Sequence, residues 1–510
     1  MANTRTKNTI NNISASFLSQ FLNQIIIFVV RTVFIKTLGA EYLGINGLFT
    51  NILSVLSLAE LGVGSAMVYS MYKPIASGDS DKIKAYMDLY KIIYRAIGSV
   101  VIAIGFVLLP FLDFFIVNRP DFINIELVYV LYILKTGSTY FFAYKQSIFR
   151  ADQKVYIITM WTSVFTFIRS VAEIVFLIVT KSFVVYLILT IVANYAQNIY
   201  LAYKANKDYP YLKTKAVVKL PREEISELFK NVKAMFLNKI SSVILGSTDN
   251  IILSKFLGLV VVGIYSNYSM IITVIKTTFY TIFDGITPSV GNLCAAEDSS
   301  GQKYKIFKEL LLLNSWLTGF CSVCLFILFN PFIDLWVGKD YLLDSFTVAM
   351  IVLSFYIQTS MTAIGLFRSA TGLFYNDRYY SVAQCIINIV VSVVCAKILG
   401  VSGIFIGTSI AMLSTTFWKQ ATLVYKEVLD RNPIHYFLIY GKYFIMAVGS
   451  ICIIEIIDNA IDLAGIARFV FLIVLCIVVY NLIFIIWMHR EEEFNDSKKR
   501  VLNILKKVKR

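Results

Sequence analysis

The sequence predicts an all-α polytopic membrane protein with about fourteen transmembrane helices. Three observations carry that prediction. The 510 residues are 58% hydrophobic and only 15% charged, where a soluble protein is roughly 25% charged. The mean hydropathy is +0.71. Apolar runs of about 20 residues recur along the chain, the length that crosses a ~30 Å hydrocarbon core at ~1.5 Å per residue. An ordinary cytosolic enzyme, a disordered chain and a nucleic-acid binder are thereby excluded. The formal net charge of +15 sits mostly in short loops.

The runs fall at 14–36, 42–70, 86–110, 125–148, 155–180 and 182–203. After a polar, basic break at 204–227 they resume at 228–256, 259–290, 306–330, 345–373, 378–399 and 402–424, with a last pair at 436–457 and 467–488. They are continuous rather than alternating, which excludes β-strands. In lipid each backbone amide must pair within its own segment, so helices remain. No small-residue cleavage site follows the polar start, and the first run reads as a retained helix. The expected organisation is a six-helix lobe (1–203), a cytoplasmic linker (204–227), a second six-helix lobe (228–426), an extra helix pair (427–488) and a basic tail (489–510).

Orientation follows the Lys and Arg of the loops. With the N-terminus inside, the inner segments hold Lys73, Lys82, Lys84 and Lys91, the linker cations, Lys303, Lys305 and Lys308, and the basic tail. The outer loops carry acids such as Asp113, Asp121, Glu126, Asp334 and Asp340. Both termini are expected in the cytoplasm.

The chain also looks doubled. KTLGAEYLGI (36–45) and KFLGLVVVGI (255–264) share Lys36/Lys255, Leu38/Leu257, Gly39/Gly258, Gly44/Gly263 and Ile45/Ile264. Each stretch joins the first two spans of a six-span set. An even number of spans per set makes the copies parallel repeats, the kind of halves that flank a cavity.

Subtracting the loops leaves about eight cations at membrane depth: Arg31, Arg95, Lys135, Lys145, Arg169, Lys239, Lys276 and Arg368. At about 2.5–3.5 kcal/mol each, exposure to lipid would cost on the order of 20 kcal/mol. They must face water, an acid or an anionic ligand. Membrane-depth acids are fewer, namely Glu60, Glu173, Asp249 and Asp284, and a cavity with excess positive charge favours an anion. Arg31, Lys135, Lys239, Lys276 and Arg368 are therefore the candidate substrate contacts. Glu60, Asp249 and Asp284 are candidates for coupling to Na+ or H+. Internal pairing of Lys239 and Lys276 with Asp249 and Asp284 is the alternative, as is pairing of Glu60 with Lys73. Arg169 and Glu173, four apart on one helix, read as an intrahelical ion pair, so Arg169 is left out of the site. Gly62 and Gly64, beside Glu60, permit a bend or close helix approach.

No chemistry of bond-making stands out. The two histidines, His435 and His489, lie near span ends, no Walker A stretch is present, and no loop is long enough for a soluble catalytic domain. Cys321 and Cys324 form a CxxC inside an apolar run, with no second pair or His nearby, and read as buried small residues. No metal or cofactor is expected beyond the coupling ion.

The run RTVFIKTLGAEYLGINGLFTNILSVLSLAELGVGSAMVYSMYKPIASGD (31–79) and the connector Ala151-Asp152-Gln153 resemble the bacterial polysaccharide flippases of the Wzx type. These belong to the MOP exporter superfamily, with the MATE drug exporters and the lipid II flippase MurJ. The resemblance extends over about residues 10–430, and the last helix pair is similar to that of fourteen-helix members. It implies a V-shaped transporter of two six-helix bundles working by alternating access in the bacterial cytoplasmic membrane. The implied cargo is an undecaprenyl-diphosphate-linked oligosaccharide repeat unit, moved to the outer leaflet for capsule, O-antigen or similar polymers. Implied partners are that glycolipid, membrane lipids, a polysaccharide polymerase and glycosyltransferases, with no nucleic acid. Arg31 matches a first-helix arginine of the lipid II flippases. A MATE-like cation-coupled exporter of small molecules would want net acid in the cavity. A membrane-embedded polymerase or acyltransferase would need a large outer loop or a buried His.

Overall fold

The structure is a computed structural model describing residues 23–60, 62–117, 119–214, 218–295, 300–373 and 377–496. The start of the first expected span (14–22) and the end of the basic tail (497–510) lie outside the described residues. Among the described residues the regular structure is helical, without strands. The chain divides into two compact units, Met1–Gly263 and Ile264–Arg510.

The first unit begins with α1 (23–38) and α2 (Ala40–Leu56), a 3-10 turn (Ser57–Glu60) and α3 (Val63–Ser77). The expected run at 42–70 is therefore broken: Gly62 takes a left-handed conformation (φ 88°) that caps α3. Then come α4 (Ser80–Leu108), the short α5 (Leu112–Phe115), α6 (Ile125–Phe142), the short α7 (Ser147–Ala151), α8 (Val155–Thr180) and α9 (Phe183–Asp208). Side chains at the helix starts fix these boundaries, because the first amides have no partner inside a helix. Asp79 accepts from the Lys82 amide at 2.9 Å and Asn124 from the Leu127 amide at 2.8 Å.

The linker region ends in α10 (Arg222–Leu257), which packs on α2 and α3. Ser254 Oγ donates to the Phe115 carbonyl at 2.8 Å, and the Lys255 ammonium lies 4.4 Å from the centre of the Phe114 ring. At its other end Glu224 joins α10 to α4, accepting from Lys82 Nζ and from the Tyr86 hydroxyl at 2.7 Å each. The Lys82 hydrogen bond, then that of Tyr86, hold the Glu224 carboxyl below the usual carboxylate range. Such a contribution is present above the unfolded glutamate value of about 4.3 and disappears as pH falls through the lower folded value. The wild-type protein is expected to unfold at a higher temperature than Glu224→Gln near neutrality, with the gap closing below about pH 4. A gap that stays constant across that range would remove this tether from the account.

The repeated decapeptides form equivalent local structures. Gly39, between α1 and α2, has φ 91° and ψ −176°; Gly258, between α10 and α11 (Leu259–Asp284), has φ 88° and ψ 169°. Only glycine occupies that backbone region without strain. Five residues on, the copies touch reciprocally. A Cβ on Gly44 would overlap the Leu259 carbonyl, and one on Gly263 would overlap the Ala40 carbonyl. Gly44 corresponds to Gly263 in the repeat, and Ala40 to Leu259, so each copy's glycine receives the other copy's helix start.

The second unit continues from α11 with α12 (Thr287–Ala295), α13 (Ser300–Val337), α14 (Ser345–Ser360), α15 (Thr362–Thr371), α16 (Arg378–Leu399), α17 (Val401–Ser414), α18 (Thr416–Leu423), α19 (Ile434–Asn459) and α20 (Gly465–Met488). The last pair packs on α13. The Tyr480 ring occupies the space left by Gly319, its hydroxyl donating to the Trp316 carbonyl at 3.2 Å, while the Trp316 indole donates to Asn481 Oδ1 at 3.0 Å.

Large apolar side chains such as Val179, Ile398 and Ile466 are more than 70% exposed. Faces of that kind fit hydrocarbon, and the protein is a multi-pass membrane protein. Ten helical segments among the described residues are long and apolar enough to cross a bilayer. The expected spans outside those ten correspond to α1, the broken α2–α3 pair, α6 and α10. Of these, α2, α3, α6 and α10 are the helices whose side chains line a cavity, as follows.

Candidate functional site

The first unit encloses a cavity of about 520 Å³. It is built on the break between α2 and α3, where the chain cannot keep all its backbone pairs within one helix and polar groups gather. α2 supplies Thr50 and Ser54, the 3-10 turn Ser57 and Glu60, and α3 Ser65. α6 supplies Tyr132, Lys135, Thr136, Thr139 and Tyr140 one to four residues apart, so they share a helix face. α9 adds Asn194 and α10 adds Val243. Among the described residues the wall is rich in hydroxyls and carries one cation, Lys135, and one acid, Glu60.

Lys135 is half-buried, and its ammonium sits 5.2 Å from the centre of the Tyr132 ring. Tyr132 is fully buried and is held in turn, its hydroxyl donating to Asn46 and its ring lying 5.6 Å from that of Phe49. A desolvated ring face stabilises an ammonium by about 2 kcal/mol or more. Arg169 and Glu173 of α8 are among the charged groups near Lys135. The expected α8 ion pair is present, with Arg169 Nε 3.4 Å from Glu173 Oε1. Glu173 is buried and also accepts from Thr190 at 2.8 Å. The pair does not withdraw Arg169 from its surroundings, however. Arg169 Nη1 donates to Asn194 Oδ1 at 3.4 Å, and Asn194 lines the cavity. Arg31, half-buried on α1, acts with Arg169 and Glu173 on Tyr186. The spacing along α8 shows the Glu173 partner of Arg169 but not Asn194, and no spacing marks the tyrosines, because which helices meet is not written in the spacing of one helix.

The remaining sequence candidates are distributed as follows. Glu60 accepts a hydrogen bond from the Tyr94 hydroxyl, and the Tyr94 ring stacks edge-on to Tyr90 at 4.4 Å. Asp249 is half-buried on α10. The Lys239 side chain, on the same helix, lies outside the described residues. In the second unit, Lys276 Nζ donates to Gln358 Oε1 at 2.6 Å. Arg368 is ion-paired at 2.8 Å with the fully buried Asp377. That pairing holds α15 to the start of α16 and gives Arg368 a structural task apart from any cargo. Asp284 is exposed at the end of α11. Among the described residues no group of three or more His, Cys, Asp or Glu could hold a metal ion.

Comparison with known proteins places this architecture. Residues 9–293 match the family described as polysaccharide biosynthesis protein. Among solved structures, the chain is similar to the lipid II flippase MurJ in an inward closed conformation, with a TM-score of 0.67 at 16% identity over 94% of this chain and 99% of that one. It is also similar to an inward-facing multidrug resistance MATE family transporter of the MOP superfamily (TM-score 0.58, 13% identity, 78% of this chain and 93% of that one). A point-mutant form of the Vibrio cholerae MATE transporter VcmN gives a TM-score of 0.57 at 14% identity over 84% of this chain and 99% of that one. A comparison with curated protein sequences finds no match. The chain belongs to the polysaccharide biosynthesis protein family and has the fold of the MOP-superfamily flippases and exporters.

Proposed function

We propose that the protein translocates undecaprenyl-diphosphate-linked oligosaccharide repeat units from the inner to the outer leaflet of the bacterial cytoplasmic membrane, by alternating access and without enzymatic chemistry. The observation that carries this reading is the half-buried Lys135 on the wall of a hydroxyl-rich cavity, with Arg169 in its field. Ammonium and guanidinium groups suit diphosphate oxygens, and the ring of hydroxyls and Tyr faces suits a sugar. The headgroup occupies the cavity while the polyprenyl tail stays in lipid. Both termini face the cytoplasm in this reading, and Glu60, in the cavity wall and accepting a hydrogen bond from Tyr94, is the first candidate for Na+ or H+ coupling. The glycolipid is supplied by glycosyltransferases and consumed by a polymerase.

The test is reconstitution in vesicles that contain a polyprenyl-diphosphate-linked disaccharide with a fluorescent sugar. A membrane-impermeant quencher then reads its appearance in the outer leaflet. Translocation faster than in protein-free vesicles is expected. No acceleration, together with ion-gradient-driven exchange of a cationic dye, would replace this reading by that of a small-molecule exporter.

A further inference from the structure

Next to the Lys135 cavity lies a second chamber of about 570 Å³, again wholly within the first unit. The two share a wall of Glu60, Gly64, Ser65 and Thr139. The second chamber lies toward the end of the unit that carries Lys73 and Lys82, sharing Tyr72 with the pocket they line, and among the described residues its cation is Arg150. Arg150 belongs to the short helix α7, which follows α6 after a single 3-10 turn, and is exposed.

Its environment differs from that of an ordinary basic loop residue. The acid closest in sequence, Asp152, is already engaged: Lys154 Nζ stands 2.7 Å from it and the Tyr209 hydroxyl donates to it at 2.6 Å. The acid in the shared wall, Glu60, takes a hydrogen bond from Tyr94. Among the described residues no carboxylate stands within ion-pair distance of the Arg150 guanidinium. Arg150 lines the chamber together with Tyr90, Tyr72 and Gln146. An uncompensated planar fork in a concave, hydroxyl-lined recess is a recognition element for phosphate oxygens. A cation that served only membrane orientation would gain nothing from a recess.

We infer that this chamber is a separate binding station for a phosphate-bearing headgroup, with Arg150 as its capturing residue, at the basic end of the unit and ahead of Lys135. The inference rests on the flippase reading and assigns that reading a first stop. One cation on each side of a wall containing Glu60 gives an anion two favourable positions separated by a like charge. Phosphate reaching Arg150 is either borne on a lipid or free in solution, and the chemistry at the guanidinium is the same.

The experiment uses the purified full-length protein in detergent, with farnesyl diphosphate and inorganic pyrophosphate as probes in calorimetric titrations. Arg150→Gln is expected to weaken diphosphate binding about tenfold, the loss of one hydrogen-bonded charge. Arg150→Lys keeps most of the affinity, and neither change shifts the unfolding temperature. Tighter binding of farnesyl diphosphate than of pyrophosphate identifies a lipid-borne phosphate. Equal affinities identify a free anion, and both outcomes support the station. In the vesicle assay, Arg150→Gln raises the glycolipid concentration giving half-maximal rate and leaves the maximal rate unchanged. Binding and transport by Arg150→Gln equal to wild type would overturn the station while leaving the flippase reading intact. An inactive wild type would instead remove the flippase reading itself.

Discussion

Lys135→Gln is expected to lower glycolipid translocation by about 10- to 100-fold, the value of a hydrogen bond to a charged group at about 1.5–3 kcal/mol. The effect is large because the ammonium is partly withdrawn from solvent. It stands on the Tyr132 ring inside a cavity wall, half-buried, with Tyr132 itself pinned by Asn46. Gln preserves much of the length and polarity of the side chain and removes only the charge, so folding is little affected. Lys135→Arg retains most of the rate. Lys207→Gln, at an exposed position near the end of α9, leaves it unchanged. Rates are read in the vesicle assay at matched protein amounts. Wild-type translocation by Lys135→Gln would end the idea that this cation recognises the cargo.

The second large effect is expected at the crossing of the two repeats. Gly44→Ala places a methyl group on the Leu259 carbonyl, and Gly263→Ala places one on the Ala40 carbonyl. Neither obstacle is a side-chain tip that can swing away; each is backbone at the start of a helix. Overpacking of this kind costs about 1–3 kcal/mol, occasionally more. Each variant should lower the temperature at which the detergent-solubilised protein loses its monodisperse chromatographic peak. Gly441→Ala and Gly449→Ala, where no atom lies within 4 Å of the added carbon, serve as controls. Equal stability of Gly44→Ala and Gly441→Ala would show that the helices do not approach closely there.

The membrane class, the helical content and the family were legible in the sequence, because hydrocarbon imposes length and hydropathy on each segment separately. The repeat was legible from Gly39 and Gly258, whose side-chain-free backbone is demanded locally. The break at Ser57–Gly62 was not. The apolar run 42–70 passes through it, and only the Gly62–Gly64 pair hinted that the chain turns. The cavity wall was partly legible. Lys135 was conspicuous as a cation far from either end of its run, yet Tyr132, Asn194 and Arg150 were not. A tyrosine in an apolar run reads as packing, and Arg150 reads as a loop cation. What sets them apart is which cavity each one lines, and that is decided by how α2, α3, α6, α7, α9 and α10 gather in space. Arg169 shows the same limit in reverse, since its partner four residues away hid a second neighbour, Asn194, on another helix.

The fit of Tyr480 against Gly319 bears on how the chain is made. α13 is synthesised before α20, so its notch and the Trp316 indole are made before the helices that cover them. A chain cut before α19 would leave the Gly319 notch unfilled and the Trp316 indole without its Asn481 acceptor. The pair α19–α20 therefore covers a groove on α13 whose shape is set by the one side chain missing at Gly319.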